Sequence, residues 1–386
     1  MNVRGTQQGW SLRMPAPAST ASCVRTRVED ILVAMVRVIY HGRRAATIEN
    51  ADLRVTVLAE GGHIAEIFDK AAGVNPLWTP PWPTIEPSAY APADAPIYGG
   101  GSDARLLAGI MGHNVCLDIF GPPSATEASQ GLTAHGEGPV VPYDLTAAGE
   151  QLVACARFPI AGMEFERRIL LRGRALQIRE TLVNRSAMDR LIGWTQHVTL
   201  GPPFLARGTT QFRASANRSK VFETAFGADD YLARGAEFNW PMAPASDGNP
   251  VDLRVFSRSQ RSSAYTAHLM SNTEMAFFVA FSPVFELALS YVWKASDFPW
   301  MGIWEENHSR TNTPWNGRTM TRGMEFGVSP IPETRDAMVQ RGTLFGVPTF
   351  RRIASGESVA VEYYAVAQRT QAIPESLAGV SSPPPN

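Results

Sequence analysis

Alternation of apolar and polar residues with a period of two runs through most of this chain. Leu53, Val55 and Val57 alternate with Arg54 and Thr56. Leu176, Ile178 and Leu182 alternate with Gln177, Arg179 and Thr181, and Val359, Val361 and Tyr363 with Ala360, Glu362 and Tyr364. Successive side chains of a strand point to opposite faces, so each run has one face to bury. The run from Met275 to Phe281 is nearly all apolar, as in a strand covered on both sides. Turn formers separate the runs at Gly61-Gly62, Asp69 to Pro76, Asn184 to Asp189 and Ala245 to Pro250. Long amphipathic helical windows are missing. Many short strands of this kind predict an all-β antiparallel sandwich.

At 386 residues the chain can bury a large core. No linker divides residues 36–370, which we read as one domain. Residues 1–35 lack the apolar stretch of a signal peptide and are expected to be a loose extension, with Met35 a candidate start. Residues 371–386, ending in Pro383-Pro384-Pro385, are expected to be a flexible tail. Thr79 to Gly101 carries six prolines with Trp82, Tyr90 and Tyr98. Such a long aromatic loop inside a domain reads as an ordered lid or rim.

The formal net charge is -1. No basic field is available for phosphates, so a nucleic-acid partner is not expected. The longest apolar stretches fall well short of a membrane span. Three cysteines, Cys23, Cys116 and Cys155, have neither a disulfide framework nor zinc spacing. Cytoplasm is the default location. Oligomeric state is not legible.

Candidate chemistry gathers at three places. His135 opens His135-Gly136-Glu137; its bland reading is a turn with a surface histidine. A deaminase-type zinc site would need a downstream Pro-Cys-X-X-Cys, which is absent. His197 closes Trp194-Thr195-Gln196-His197 and reads either as a strand-end histidine or as part of a sugar platform with Trp194 and Gln196. Glu325 lies between Met324 and Phe326, where a carboxylate must be paired or carry a raised pKa. Its bland reading is an ion pair with Arg318 or Arg322. Residues 293–315 mix Trp293, Trp300, Trp304 and Trp315 with Asp297, Glu305, Glu306 and His308, as in a carbohydrate wall or a tryptophan-rich core. No established metal spacing is present there. The nucleophile elbow, phosphate loop, dinucleotide fingerprint and His-Glu-X-X-His are absent.

The order of these motifs resembles the aldose 1-epimerase (galactose mutarotase-like) superfamily over roughly residues 45–368. Ile48-Glu49-Asn50 to Asp69-Lys70 resembles the family's first hairpin, and His135-Gly136 its His-Gly. Phe165 to Asn184 followed by His197 resembles the strands leading to the second histidine, and Glu325 the late glutamate. Ala354 to Ser358 resembles a Pro-Gly-Glu turn, with Ser355 in place of proline. The resemblance implies a large antiparallel β-supersandwich with a sugar cleft and needs no cofactor. It makes Glu325 the base at the anomeric hydroxyl and His197 the proton donor to the ring oxygen, assisted by His135. The family's early arginine segment is not clearly matched. Gly112 to Asp118 takes its place, and the sugar stays open. His113, Asn114, Trp194, Gln196, Asp297, Trp300, Trp304 and Glu305 are the candidate substrate contacts. A sugar or oligosaccharide is the expected partner. A non-catalytic carbohydrate-binding protein and a glycan-degrading enzyme are the alternatives.

Overall fold

A computed structural model of the chain describes residues 37–381. The expected extension, 1–35, and the end of the expected tail, 382–386, lie outside the described residues. Two large antiparallel sheets pack face to face. The twelve-stranded sheet runs from Arg37–Tyr40 through Arg43–Glu49, Leu53–Leu58 and Ile64–Asp69 to His113–Asp118. It continues through Arg190–Leu200, Met320–Gly327, Trp300–Asn307, Ser262–Met270 and Ala216–Val221 to Glu237–Asn239, and Arg351–Ile353 pairs with the start of Arg190–Leu200. The eight-stranded sheet runs from Gln211–Ala214 through Met275–Ser282, Leu287–Lys294, Ser358–Arg369, Ala175–Asn184, Met163–Arg172 and Gln151–Phe158 to Tyr143–Ala148. This is the large antiparallel β-sandwich that the alternation led us to expect.

The alternation explains the layers. Leu53, Val55, Val57, Val115, Leu117, Val198, Met324 and Phe326 point from the larger sheet into the shared core. Leu176, Ile178, Leu182, Val361 and Tyr363 meet them from the smaller one. Fully burying a side chain of this size contributes roughly 1.5–3 kcal/mol, so dozens of such contacts dominate the stability.

Met275–Ser282 is covered on both sides. Ala276, Phe278 and Ala280 face the shared core, while Phe277, Val279 and Phe281 form an outer cluster. Part of the cover is the stretch we expected to fray: Ile373 and Val380 are buried in that outer cluster. Glu375 also pairs with Arg213. The tail therefore differs from the sequence expectation because an apolar outer strand face needs a lid. Replacing Ile373 and Val380 together by alanine is expected to lower unfolding stability by about 3 kcal/mol, measured by denaturant titration.

A polar cluster centred on Arg167 and Glu180 interrupts the apolar core. Arg167 and Glu180 are fully buried and joined by a 2.8 Å hydrogen bond. Arg167 also donates to the Gly62 carbonyl at 2.9 Å. Glu180 accepts from the Trp194 indole, the Gln196 amide and the Tyr363 hydroxyl at 3.0, 2.6 and 2.8 Å. A buried pair repays its desolvation only when its remaining donors and acceptors are filled, as here. Arg167→Met should cost about 3–5 kcal/mol in chemical denaturation, and a second change, Glu180→Leu, should restore much of the loss.

Candidate functional site

The site is built on the outward face of the larger sheet. His197 lies directly opposite Glu325 across one antiparallel pair, and opposite Asn114 across the other. Residues opposite each other share a face, so both side chains stand on the same surface. Glu325 in turn faces Gly302. A Cβ at Gly302 would meet the Tyr265 hydroxyl at 2.2 Å, and one at Gly323 would meet the Glu325 carboxylate at 2.4 Å. These two glycines leave the room that Tyr265 and Glu325 occupy.

His135 arrives from a loop rather than a strand. Its φ is +66°, and Gly136 follows at +80°. A Cβ at Gly136 would meet the Leu117 carbonyl at 2.3 Å, so glycine lets the loop lie against the His113–Asp118 strand. The closeness that glycine permits here serves backbone packing. His135 Nδ1 is 2.5 Å from the Phe120 carbonyl, which makes Nδ1 the protonated nitrogen and leaves Nε2 open. The His135 and His197 rings are 5.2 Å apart.

These residues sit in a cleft of about 390 Å³. Its walls are formed by Leu106 and Leu107 of the short helix Ala104–Gly109 with Ile110, Phe120, Phe226, Trp304 and Trp315, and the exposed Ser102 and Asp103 also line it. The Thr79–Gly101 segment is ordered behind these walls. Trp82 is buried, donates to the Leu107 carbonyl at 2.9 Å and packs edge-on against Trp315. A shallower groove of about 430 Å³ beside Arg190 and Arg335 lies apart from the two histidines and Glu325. Arg335 there is already bound to Asp118, Glu127 and the Leu191 carbonyl.

His197 Nε2 is 3.0 Å from Glu325 Oε1. The two groups are 4% and 2% exposed, too little for water to solvate a charge on either. The contact is off-line, so Glu325 Oε1 has no well-directed hydrogen bond among the described residues. His197 Nδ1 lies 2.9 Å from the Thr199 hydroxyl. Burial pushes Glu325 up to about 8, against the opposing pull of Arg310. Burial likewise lowers His135 to about 4 and His197 well below the usual imidazole range, with the neighbouring His135 adding to the second effect. At neutral pH the carboxyl therefore holds a proton and both imidazoles are neutral.

The remaining sequence candidates divide by strand parity. Trp304 lines the cleft. Asn114 shares the face of His197 but is fully buried beneath the cleft surface. Trp194 and Gln196 point to the inter-sheet core and bind Glu180. His113 also points there, between Gln196 and Tyr291 at 3.1 Å each. These three serve sheet packing, because odd and even residues of a strand face opposite ways. Glu305 is on the core side too, paired with Arg322 at 2.7 Å and bonded to Ser262. Glu306 faces away from it, so the two carboxylates cannot share an ion. Trp300 lies on the cleft side of its strand, but Ile331 and Leu344 roof it. Asp297 sits in the turn before that strand, where its carbonyl accepts from Arg351. Arg310 is the residue missed: it follows the Trp300–Asn307 strand and lines the cleft.

If burial sets the state of Glu325, folding is linked to pH. The folded chain retains a proton that the unfolded chain releases between the ordinary carboxyl value and about 8. Stability contributed at this position thus falls as pH rises through that window. Glu325→Gln removes the effect, so its stability gain over wild type should grow from pH 4.5 to pH 8 and then level off. The gain should reach a few kcal/mol in denaturant melts, a magnitude set by the width of the window. A pH-independent difference would show that the carboxyl is ionised in the folded protein.

No protein-family model matches the sequence, and comparison with curated proteins also yields no match. Solved structures do match. A galactose mutarotase related enzyme from Lactobacillus acidophilus is 13% identical, covers 86% of this chain and 99% of its own, and has a TM-score of 0.55. A galactose mutarotase-like protein from Lactobacillus casei is 11% identical over 84% of this chain and 100% of its own, with a TM-score of 0.55. One from Clostridium acetobutylicum is 12% identical over 86% and 98%, again with a TM-score of 0.55. At these identities the likeness is one of fold.

Proposed function

We propose that the protein is a carbohydrate-active enzyme of the aldose 1-epimerase type, which interconverts sugar anomers by ring opening. The observation that carries this reading is the His197–Glu325 pair, 3.0 Å apart on the floor of an open cleft with His135 beside it. The names of the structurally similar proteins agree with it, and the fold is theirs.

The pair holds one transferable proton and one vacant site. Glu325 donates to the ring oxygen as the bond from that oxygen to the anomeric carbon breaks. His197 Nε2 accepts the proton of the anomeric hydroxyl, and an open-chain aldehyde forms. Rotation presents the other carbonyl face. The ring hydroxyl then returns its proton to Glu325, and His197 protonates the new anomeric oxygen. His135 Nε2, unprotonated because Nδ1 binds the Phe120 carbonyl, can accept from a neighbouring hydroxyl of the sugar. These roles reverse those implied by the family resemblance, because burial keeps the resting proton on Glu325. Both directions use both groups, as microscopic reversibility requires. The proposed ligand is a sugar or oligosaccharide, and the proposed location is the cytoplasm. Among the described residues no helix is long and apolar enough to cross a membrane.

Polarimetry on pure anomers of a sugar panel tests the proposal. Wild type should accelerate the approach to equilibrium, and Glu325→Gln should lose about 10²–10⁴-fold of that rate. The wild-type rate should fall as pH rises through about 8, where Glu325 gives up its proton, and as pH drops through about 4, where His135 gains one. No acceleration with any sugar, together with sugar binding that survives Glu325→Gln, would instead favour a non-catalytic carbohydrate-binding protein.

A further inference from the structure

Arg310 is held in the cleft without the partners that a guanidinium normally finds. Its centre lies 4.8, 5.5 and 5.3 Å from the ring centres of Trp315, Trp304 and Phe226. Three rings thus surround it and exclude part of its water, leaving the side chain 27% exposed. Glu306 stands 3.5 Å from its Nε and partly balances its charge. Glu306 Oε1 accepts from the backbone N–H groups of Ser309 and Arg310, at 2.7 and 2.9 Å, while Oε2, which faces Arg310, makes no hydrogen bond among the described residues. Neither amino group of Arg310 hydrogen-bonds any described residue. Asp230, another nearby acid, is occupied by Ser263 and the N–H groups of Phe226 and Gly227. Asp103, which also lines the cleft, is exposed.

A second donor is also idle. Trp304 is 5% exposed, and its indole N–H has no partner. A buried donor left unmade costs about 1–3 kcal/mol, which an acceptor on a ligand in the cleft would recover. The Trp304 ring lies 5.7 Å from the His197 ring, so this donor and Arg310 border the acid/base pair. Leu106, Leu107, Ile110 and Phe120, which also line the cleft, carry no polar side-chain atom.

We propose that the sugar of this site is an acidic one, a uronate whose carboxylate is received by the Arg310 fork and the Trp304 indole. This rests on the anomer-exchange reading above for the orientation of the ring. In a hexopyranuronate the carboxylate is carried by the ring carbon next to the ring oxygen, on the side away from the anomeric carbon. His197, Glu325 and Trp304 stand on three successive strands in that order, so with the anomeric hydroxyl at His197 and the ring oxygen at Glu325 that substituent would point toward Trp304 and Arg310. A planar fork matches a carboxylate in two parallel bonds. Arg310 is the only lysine or arginine among the described residues lining the cleft. One cation suits a singly charged carboxylate better than a phosphate ester carrying nearly two charges.

Calorimetric binding of galacturonate and glucuronate, their methyl esters, the parent hexoses and the hexose 6-phosphates decides the matter. Uronates should bind at least about tenfold more tightly than esters and hexoses, the scale of a charge-assisted pair. The preference should weaken with salt, persist in part in Arg310→Lys and vanish in Arg310→Gln. Thermal melts of both variants report whether they fold; if the glutamine variant does not, the ester comparison and salt dependence on wild type carry the test alone. Uronates bound no better than their esters, a preference that survives in folded Arg310→Gln, or tighter binding of the 6-phosphates would each overturn the assignment. Polarimetry on the same ligands separates the two claims. Anomer exchange on neutral hexoses without uronate preference defeats only the carboxylate site. Selective uronate binding without anomer exchange defeats only the proposed activity.

Discussion

The Arg190–Leu200 strand has to satisfy two environments at once, and most of the architecture follows from how it does so. Its even-numbered residues, including Trp194, Gln196 and Val198, enter the space between the sheets. The odd-numbered Thr195, His197 and Thr199 turn to the other surface. Gln196 and Trp194 bind Glu180, which Arg167 neutralises within a wholly buried cluster. The pair that ties one sheet to the other therefore holds the residues on both sides of Thr195, and Gln196 directly precedes His197. A sheet anchored through its alternate residues cannot slip by one without exchanging core and cleft, which fixes the register that brings His197 opposite Glu325.

The same parity explains what could be read before any coordinates. Strand runs such as Leu176 to Leu182 were legible because alternation is a direct image of two environments. The two histidines and Glu325 were legible as an ordered set, although their convergence depends on pairing between segments more than a hundred residues apart, which local sequence does not encode. Trp194 and Gln196 were misplaced as sugar contacts by proximity in sequence. Counting by two from His197 would have turned both away from it. Glu305, one step from Trp304, fails in the same way. Arg310 had no periodic signal, since it lies in the irregular segment after Asn307. The role of Ile373 and Val380 was hidden by the surrounding prolines and small residues, although the all-apolar run from Met275 implied that some segment had to cover it.

Desolvation then sets the chemistry. A carboxyl beside a cation would ordinarily ionise. Here Arg310 lowers Glu325, but burial outweighs it and holds the proton on the acid. His197 stays neutral for the same reason, its Nδ1 turned to the Thr199 hydroxyl. Two neutral groups 3.0 Å apart can each trade a proton with a bound sugar without having to be stripped of water during reaction. An exposed pair would lack that property, because water would separate the charges and return each group toward its ordinary value.

An apolar cleft with one partly balanced cation places a further demand on whatever enters it. The Leu106, Leu107, Ile110 and Phe120 wall penalises each hydroxyl turned toward it, whereas the floor and the Trp304–Arg310 side offer unmade bonds. A ligand with polar groups on one edge and a bare face on the other meets both conditions. Its entry would expel the remaining water, and lowering the local dielectric strengthens the Arg310 contact and the proton pair together. Recognition and proton transfer would then be driven by the same loss of water, so a substitution that wets the wall, such as a polar residue at Leu107, would weaken both at once.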